Sequence, residues 1–269
     1  MVNLPTRALA DEYSAKADAY ARHWSPIIRP MALPLLASLP LADARRILDV
    51  GAGTGALLAD LEAAATDALV IAIDVAPGML RLAPRQRRTA VAAMDAQALG
   101  LRSSSADVAV LAFMLFHVPH PVAALVEVRR VLKPGGVIGV STWGADSTMP
   151  ALSVWAEELD AVGAEPDPRH PSVMQQASMD SLGKLEALLA SSGYRVRLSW
   201  SARFSYRWSL DEIMAVQLSC GLAARRMAQL SSEAKRTCET RVRARLEALA
   251  PDALLQQPEV IFAIAVAQA

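Results

Sequence analysis

Ile47-Leu-Asp-Val-Gly-Ala-Gly-Thr-Gly55 is the stretch on which the reading of this chain turns. The short apolar run Arg46–Val50 has the character of a buried strand. Glycines at alternate positions follow, and the sequence GALLADLEAAA then continues with helical spacing. Glycine lets a backbone turn sharply and lets a ligand approach without Cβ atoms in the way. The helix start beyond it offers unpaired N–H groups and a partial positive charge. A strand, a glycine turn and a helix in that order predict a ligand site at the edge of an α/β sheet.

The rhythm continues outward from this unit. Ala68–Asp74 reads as a second buried strand, and Pro77-Gly-Met-Leu opens a helix. Thr89–Met94 is a weaker strand and Asp107–Phe113 a strong one. The amphipathic helix Pro121–Leu132 is stopped by Lys133-Pro-Gly-Gly136, a turn in which Gly135 or Gly136 supplies positive φ, and Val137–Thr142 is the next strand. Such β–α alternation argues for a parallel sheet covered on both faces. Helix-like pieces punctuated by Pro26, Pro30, Pro34 and Pro40 make residues 1–40 an N-terminal cap or lid. Residues 41–269 form the main domain, with helical insertions at about 145–178 and 209–249 and a last strand at Val260–Val266.

Composition narrows the function. The chain has 269 residues with 27 basic and 27 acidic side chains, so it has no long-range pull on nucleic acid or an anionic membrane. The cluster Arg81, Arg85, Arg87 and Arg88 reads as a solvated face. No apolar run suits a membrane span, and the first residues lack the pattern of a secretion signal, so a cytoplasmic location is expected. Cys220 and Cys238 fit no zinc spacing and read as packing residues in a reducing compartment.

Gly51, Gly53 and Ala56 also satisfy a dinucleotide fingerprint, and Asp74 stands about 20 residues on, where a carboxylate can accept both ribose hydroxyls of any adenosine cofactor. Three features separate the alternatives. Asp49 lies two residues before Gly51, where it would repel a pyrophosphate and attract an ammonium group. Asp95, after the third strand in Met94-Asp-Ala-Gln-Ala-Leu99, can accept from an adenine amino group. Leu132-Lys-Pro-Gly-Gly136 closes the helix after the fourth strand.

LDVGAGTG, IDVAPGML, MDAQAL, DVAVLAFMLFHV and VRRVLKPGG, in this order, resemble the class I S-adenosylmethionine-dependent methyltransferases, in particular the small-molecule and ubiquinone/menaquinone-biosynthesis group (methyltransferase type 11). The resemblance is clear over about residues 45–143. It implies a Rossmann-like, doubly wound seven-stranded sheet, order 3-2-1-4-5-7-6, with the last strand antiparallel. It also implies S-adenosylmethionine as cofactor. Asp49 and Gly51 would then lie near the methionine moiety, with Gly53 in the turn. Asp74 would take the ribose, Val75 and Met79 would flank the adenine, Asp95 and Ala96 would meet its amino edge, and Phe113 would lie beneath the sulfonium.

Methyl transfer needs alignment and a dry approach more than acid–base help, because the leaving group departs neutral. Should a base be required, His117 is the candidate, since it follows the fourth strand at the carboxyl edge of the sheet. His120 reads as a helix cap. The resemblance implies that the segment with Tyr13, Tyr20 and Trp24 folds over the cofactor as a lid, with Tyr20 in reach of the methionine carboxylate, while their spacings equally suit one helix face packed on the core. Trp143 and Trp155 are candidates either for walls of an apolar acceptor pocket or for ordinary core. No catalytic metal set is expected. The expectation is O- or C-directed methylation of a small-molecule acceptor by a monomer or homodimer without nucleic-acid or membrane partners. The alternatives are a non-methylating reaction such as cyclisation on the same cofactor, an NAD-dependent oxidoreductase, or a non-catalytic regulator.

Overall fold

The computed structural model describes residues 3–85, 87–145 and 149–268. Positions 1–2 of the expected cap, 146–148 of the first insertion, and 86 and 269 of the main domain lie outside the described residues. Three helices come first, α1 (Leu4–Ala15), α2 (Ala17–His23) and α3 (Ser25–Ala37). The alternation follows: β1 (Arg46–Val50), α4 (Leu58–Ala64), β2 (Leu69–Asp74), α5 (Pro77–Leu80), β3 (Thr89–Ala93), β4 (Ala106–Ala112), α6 (Pro121–Val131) and β5 (Leu132–Trp143). Beyond it lie α7 (Pro150–Ala161), α8 (Leu182–Ser191) and β6 (Tyr194–Arg203). An excursion then carries β7 (Tyr206–Arg207), α9 (Leu210–Ser219), α10 (Leu222–Met227), α11 (Ser232–Glu247) and β8 (Leu255–Gln256) before β9 (Glu259–Ala267).

The main sheet has seven strands in the order β3-β2-β1-β4-β5-β9-β6, and β7 pairs only with β8. Counting the strands of the main sheet alone, this is the expected 3-2-1-4-5-7-6 order. β9 runs antiparallel between β5 and β6. The alternating direction of strand side chains divides the core into two layers. Ile47, Val70, Val108 and Phe262 pack on one face with Leu35 of α3 and Leu58 of α4. Leu48, Ile71, Leu111 and Ile261 pack on the other with Leu125 of α6 and Leu185 of α8. That two-sided burial is why β2, β4 and β9 are apolar along most of their length, whereas the edge strand β6 alternates with Arg195, Arg197 and Ser199.

Two local readings need correction. The prolines do not break the cap helix, because α3 runs through Pro30 and Pro34. Pro26, Pro30 and Pro34 recur every four residues, so the missing donors fall on one stripe, and Pro26 and Pro30 are exposed to water that can satisfy the freed carbonyls. Lys133-Pro-Gly-Gly136 lies within β5 rather than before it. Gly135, with φ +78°, takes the left-handed turn there, and the pairing of β4 with β5 is interrupted between Ala106 and Val108.

The chain winds outward from β1 through β2 to β3, then returns to place β4 on the other side of β1. This reversal opens a crevice at the carboxyl ends of β1 and β4, where ligands sit in open α/β sheets.

Candidate active site

The glycine loop leaves β1 at this crevice and is tied down from two sides. The N–H groups of Gly51 and Ala52 both donate to the Ile73 carbonyl, at 2.7 and 2.9 Å. Gly53 donates to Asp74 Oδ2 at 2.8 Å, while Asp74 Oδ1 accepts from Ala76 N at 2.8 Å. Asp74 is thus a clamp that joins the ends of β1 and β2, with lone pairs remaining on both oxygens. Burial raises its pKa, and the N–H groups of Ala76, Gly53 and Val75 offset part of that rise. Gly51 has φ +76°, and a Cβ there would lie 2.4 Å from the Cβ of Met114, so only glycine fits.

Asp49 is 2 % exposed and its Oδ2 has no hydrogen-bond partner. Burial, then the neighbouring Asp74 charge, push its pKa up to about 7. A buried, half-ionised carboxylate without a donor is a place where a cationic group would be stabilised.

A cavity of about 410 Å³ opens beyond the loop, within the range of small-molecule sites. It gathers most of the sequence candidates: Tyr20, Gly51, Gly53, Asp74, Val75 and Met79 line it, as do Asp95, Ala96, Phe113 and His117. Asp49 faces instead a smaller hollow of about 70 Å³ behind the loop, which also takes Arg29 and shares Tyr20, Gly51, Gly53 and Phe113 with the main cavity. Arg29 is already bonded to Asp60 through Nε and Nη2. Asp95 Oδ1 accepts from Gln97 N at 2.9 Å, which fixes the carboxylate at the cavity edge. Phe113 has φ +54°, unusual for a residue with a side chain, and its ring centroid lies 4.4 Å from that of Trp143.

His117 sits in a short turn after β4, with Nε2 3.1 Å from the Tyr13 hydroxyl. Its buried Nδ1 makes no well-aligned hydrogen bond. Burial, then the charges of Arg169 and Arg225, depress its pKa to about 3, with the Val173 backbone pulling weakly the other way. The imidazole is therefore neutral at ordinary pH and a weak proton acceptor.

Two aromatic expectations change. Tyr13, Tyr20 and Trp24 do not share one helix face, because the chain breaks at Lys16 and again at Trp24. They nevertheless converge on the cavity, and the rings of Tyr13 and Tyr20 meet edge to face at 5.9 Å. Trp155 is buried in the core among Leu159 and Val154 and is absent from the cavity lining, whereas Trp143 lines it. His120 occupies a cap position without a capping side-chain bond. The four arginines between 81 and 88 are exposed, and Arg81 and Arg88 pair with Asp18 and Asp67.

The sequence reading assigned no role to Gln97, Arg169 and Arg225 and took Cys220 for a packing residue, yet all four line the cavity. The two arginines stand in the insertions, outside every motif, and no local pattern distinguishes them from the other arginines of those segments. Among the described residues, no group of three or more His, Cys, Asp or Glu is placed to hold a metal ion, and no helix is long and apolar enough to cross a membrane.

The donor set decides which adenosine cofactor fits. Asp49, Asp74 and Asp95 gather around the loop end, and Arg29, which shares the smaller hollow with Asp49, is taken by Asp60. A pyrophosphate would meet negative charge, whereas an adenosine linked to a cationic amino-acid tail would meet its complement.

Comparison with known proteins agrees. Residues 48–140 match the family model described as a methyltransferase domain. The ubiquinone/menaquinone biosynthesis C-methyltransferase of Syntrophotalea carbinolica is 36% identical over 137 residues, which are 49% of this chain and 58% of that protein. The chain spans less than two thirds of the curated relatives it matches first, 58% and 63% of their lengths. Among solved structures, phosphoethanolamine N-methyltransferase 2 of Haemonchus contortus, in complex with S-adenosyl-L-methionine, superimposes with a TM-score of 0.54 at 16% identity, covering 96% of this chain and 57% of that one. The cyclase SpnF gives 0.56 at 18% identity, covering 90% and 81%. At such identities these two likenesses speak for the fold.

Proposed function

We propose that this chain, whose residues 48–140 are a methyltransferase domain of the class I S-adenosylmethionine-dependent type, methylates a small-molecule acceptor. One observation carries the reading: three carboxylates, Asp49, Asp74 and Asp95, and a glycine cradle gather around the loop where β1 meets β2, and the arginine that shares the hollow with Asp49, Arg29, is bonded to Asp60. Asp74 would hold the ribose hydroxyls and Asp95 the adenine amino edge, with Val75, Met79 and Ala96 against the ring. Asp49 would take the ammonium group, and Tyr20 would reach the methionine carboxylate. Phe113 and Trp143 would line the approach to the reacting carbon. Bound there, S-adenosylmethionine supplies an electrophilic methyl on a sulfonium. The protein's part is to align the acceptor and to exclude water. α1 and α2 serve the second purpose as a cover, held by Ser14 Oγ accepting from Gly78 N at 3.1 Å and by the bond between Tyr13 and His117. O- or C-methylation is favoured, in a monomer or homodimer in the cytoplasm.

The direct test is formation of S-adenosylhomocysteine with a panel of metabolite acceptors. A rearranged product without S-adenosylhomocysteine would favour the cyclase-type alternative, and a change in nicotinamide absorbance the oxidoreductase one. Activity is expected to survive chelator treatment. A rate lost with chelator and restored by magnesium would overturn that expectation.

Asp49 makes cofactor binding pH-dependent. Its pKa of about 7 in the free protein must fall when an ammonium group arrives, so binding releases a proton. Affinity for S-adenosylhomocysteine is then full above the free pKa and is lost as pH falls, by about tenfold per unit below it. Calorimetry across that range checks this, and Asp49→Asn should flatten the profile. A flat profile in the wild type would remove the ammonium assignment.

His117→Gln is expected to lose less than about tenfold in rate, because a neutral histidine with so low a pKa is a poor base. A loss of about 10²–10⁴-fold, at unchanged S-adenosylhomocysteine affinity, would assign it the role of general base.

A further inference from the structure

Two guanidinium groups line the cavity without a role among the cofactor contacts proposed above. Arg169, in the stretch after α7, and Arg225, in α10, both line the main cavity, with side chains only 19% and 10% exposed. They come from different insertions yet act on one spot, since the charges of both lower the pKa of Tyr13 and of His117. The bonds they make leave donors to spare. Arg169 gives Nε and Nη2 to Asp167, at 3.0 and 2.6 Å. Arg225 gives Nε to Glu12 and is also turned toward the Tyr13 hydroxyl, and among the described residues neither of its Nη groups bonds a carboxylate or a carbonyl. Glu12 is shared with Lys16, at 2.8 Å. Burial works to raise the Glu12 pKa, but Lys16 and Arg225 together outweigh it and hold it low. Three cations therefore answer to two carboxylates at this end of the cavity, while the negative charge of Asp49, Asp74 and Asp95 lies at the other.

Keeping a guanidinium out of water is costly unless its donors are used, and tying α1 down would need only one of them. The same cavity carries an apolar wall, with Phe113, Phe116, Trp143 and Val216. We propose that the acceptor is an apolar or aromatic acid whose oxyanion, a carboxylate or a phosphate, docks on Arg225 and Arg169 and so sets its orientation beside Tyr13 and His117. This rests on the methyltransferase reading and narrows it to a class of acceptor. A guanidinium fork matches either oxyanion in two parallel bonds, which fixes direction as well as position. Glu12 holds Arg225 until the acceptor arrives and retains Lys16 afterwards.

The test uses the full chain saturated with S-adenosylhomocysteine and labelled with ¹⁵N-arginine, so that side-chain Nε–H signals report each guanidinium. Arg169→Lys and Arg225→Lys assign the signals. The probes are benzoate for the carboxylate arm, phenyl phosphate for the phosphate arm, and benzamide as the neutral match. The expected result is a saturating shift of the Arg225 and Arg169 signals with one of the acids, at an affinity at least about tenfold above that of benzamide. Glu12→Gln should tighten that acid severalfold, because it removes the competitor for Arg225. Equal binding of benzamide, no saturating shift with either acid, or an acid affinity unmoved by Glu12→Gln would each overturn the proposal. A more than tenfold loss of S-adenosylhomocysteine affinity in Arg225→Gln would also overturn it, by giving that guanidinium to the cofactor's own carboxylate. A wild-type protein that binds the acid but never S-adenosylhomocysteine would instead remove the methyl-transfer reading and leave the anion site standing.

Discussion

Replacing Asp74 by alanine is expected to weaken S-adenosylhomocysteine binding by about 1.5–3 kcal/mol, or roughly 10–150-fold, through the loss of two bonds from ribose hydroxyls to a charged acceptor. The geometry adds a second route to the same loss. Asp74 also receives the N–H groups of Gly53 and Ala76, so its removal frees the glycine loop and the start of α5 before any ligand arrives. The ligand would then have to order that backbone itself. Asp74→Asn, which retains one acceptor oxygen, should fall between alanine and wild type. Calorimetry gives the affinities, and thermal unfolding of the ligand-free variants separates the two routes. A wild-type affinity in Asp74→Ala would sink the ribose assignment.

Gly51→Ala should be more damaging still. The position has φ +76°, where a side chain costs about 1–2 kcal/mol, and the new methyl would stand 2.4 and 2.6 Å from Cβ and Cγ of Met114. Relieving that overlap means moving the turn after β4 or the loop itself, a further loss of about 1–3 kcal/mol. Both segments line the cavity, so a melting temperature lowered by several degrees should accompany nearly complete loss of S-adenosylhomocysteine binding. The nearby Gly53→Ala serves as the contrast. Its φ is +56° but its Cβ would meet only the Met79 methyl at 3.4 Å, so it should be much milder. Equal effects at the two positions would show that backbone strain alone, and not contact with Met114, governs the loop.

What was legible in the sequence follows a physical rule. Strands buried on two faces must be apolar along their length, so Ala68–Asp74 and Asp107–Phe113 announced themselves. The glycine-loop end of the cavity is equally local, since Asp49, Gly51 and Gly53 lie within a few positions, Asp74 ends β2 and Asp95 follows β3 by two residues. The arginine end is assembled from afar. Glu12 and Arg225 meet across most of the chain, and Arg169 lies in a polar stretch with no periodicity. Nothing local in the sequence marks such residues, because their role comes from packing of α1, α7 and α10. The misreading of α3 has the same root. Proline is a local veto only when its lost bond is buried, and burial is set by tertiary structure.

The place of β9 in the sheet bears on how the protein is made. β9 is wedged between β5 and β6 and pairs with both along most of its length. During synthesis β5 emerges early, yet its free edge must wait for a strand separated from it by three further helices of the excursion as well as by α7 and α8. An apolar edge left open for that interval is a template for pairing with other nascent chains. Contacts so distant in sequence also make closure of the sheet slow. Chaperone demand and yield at elevated growth temperature should therefore respond to substitutions in Val260–Val266 more steeply than to equally buried ones in β1, whose partners are nearer in sequence.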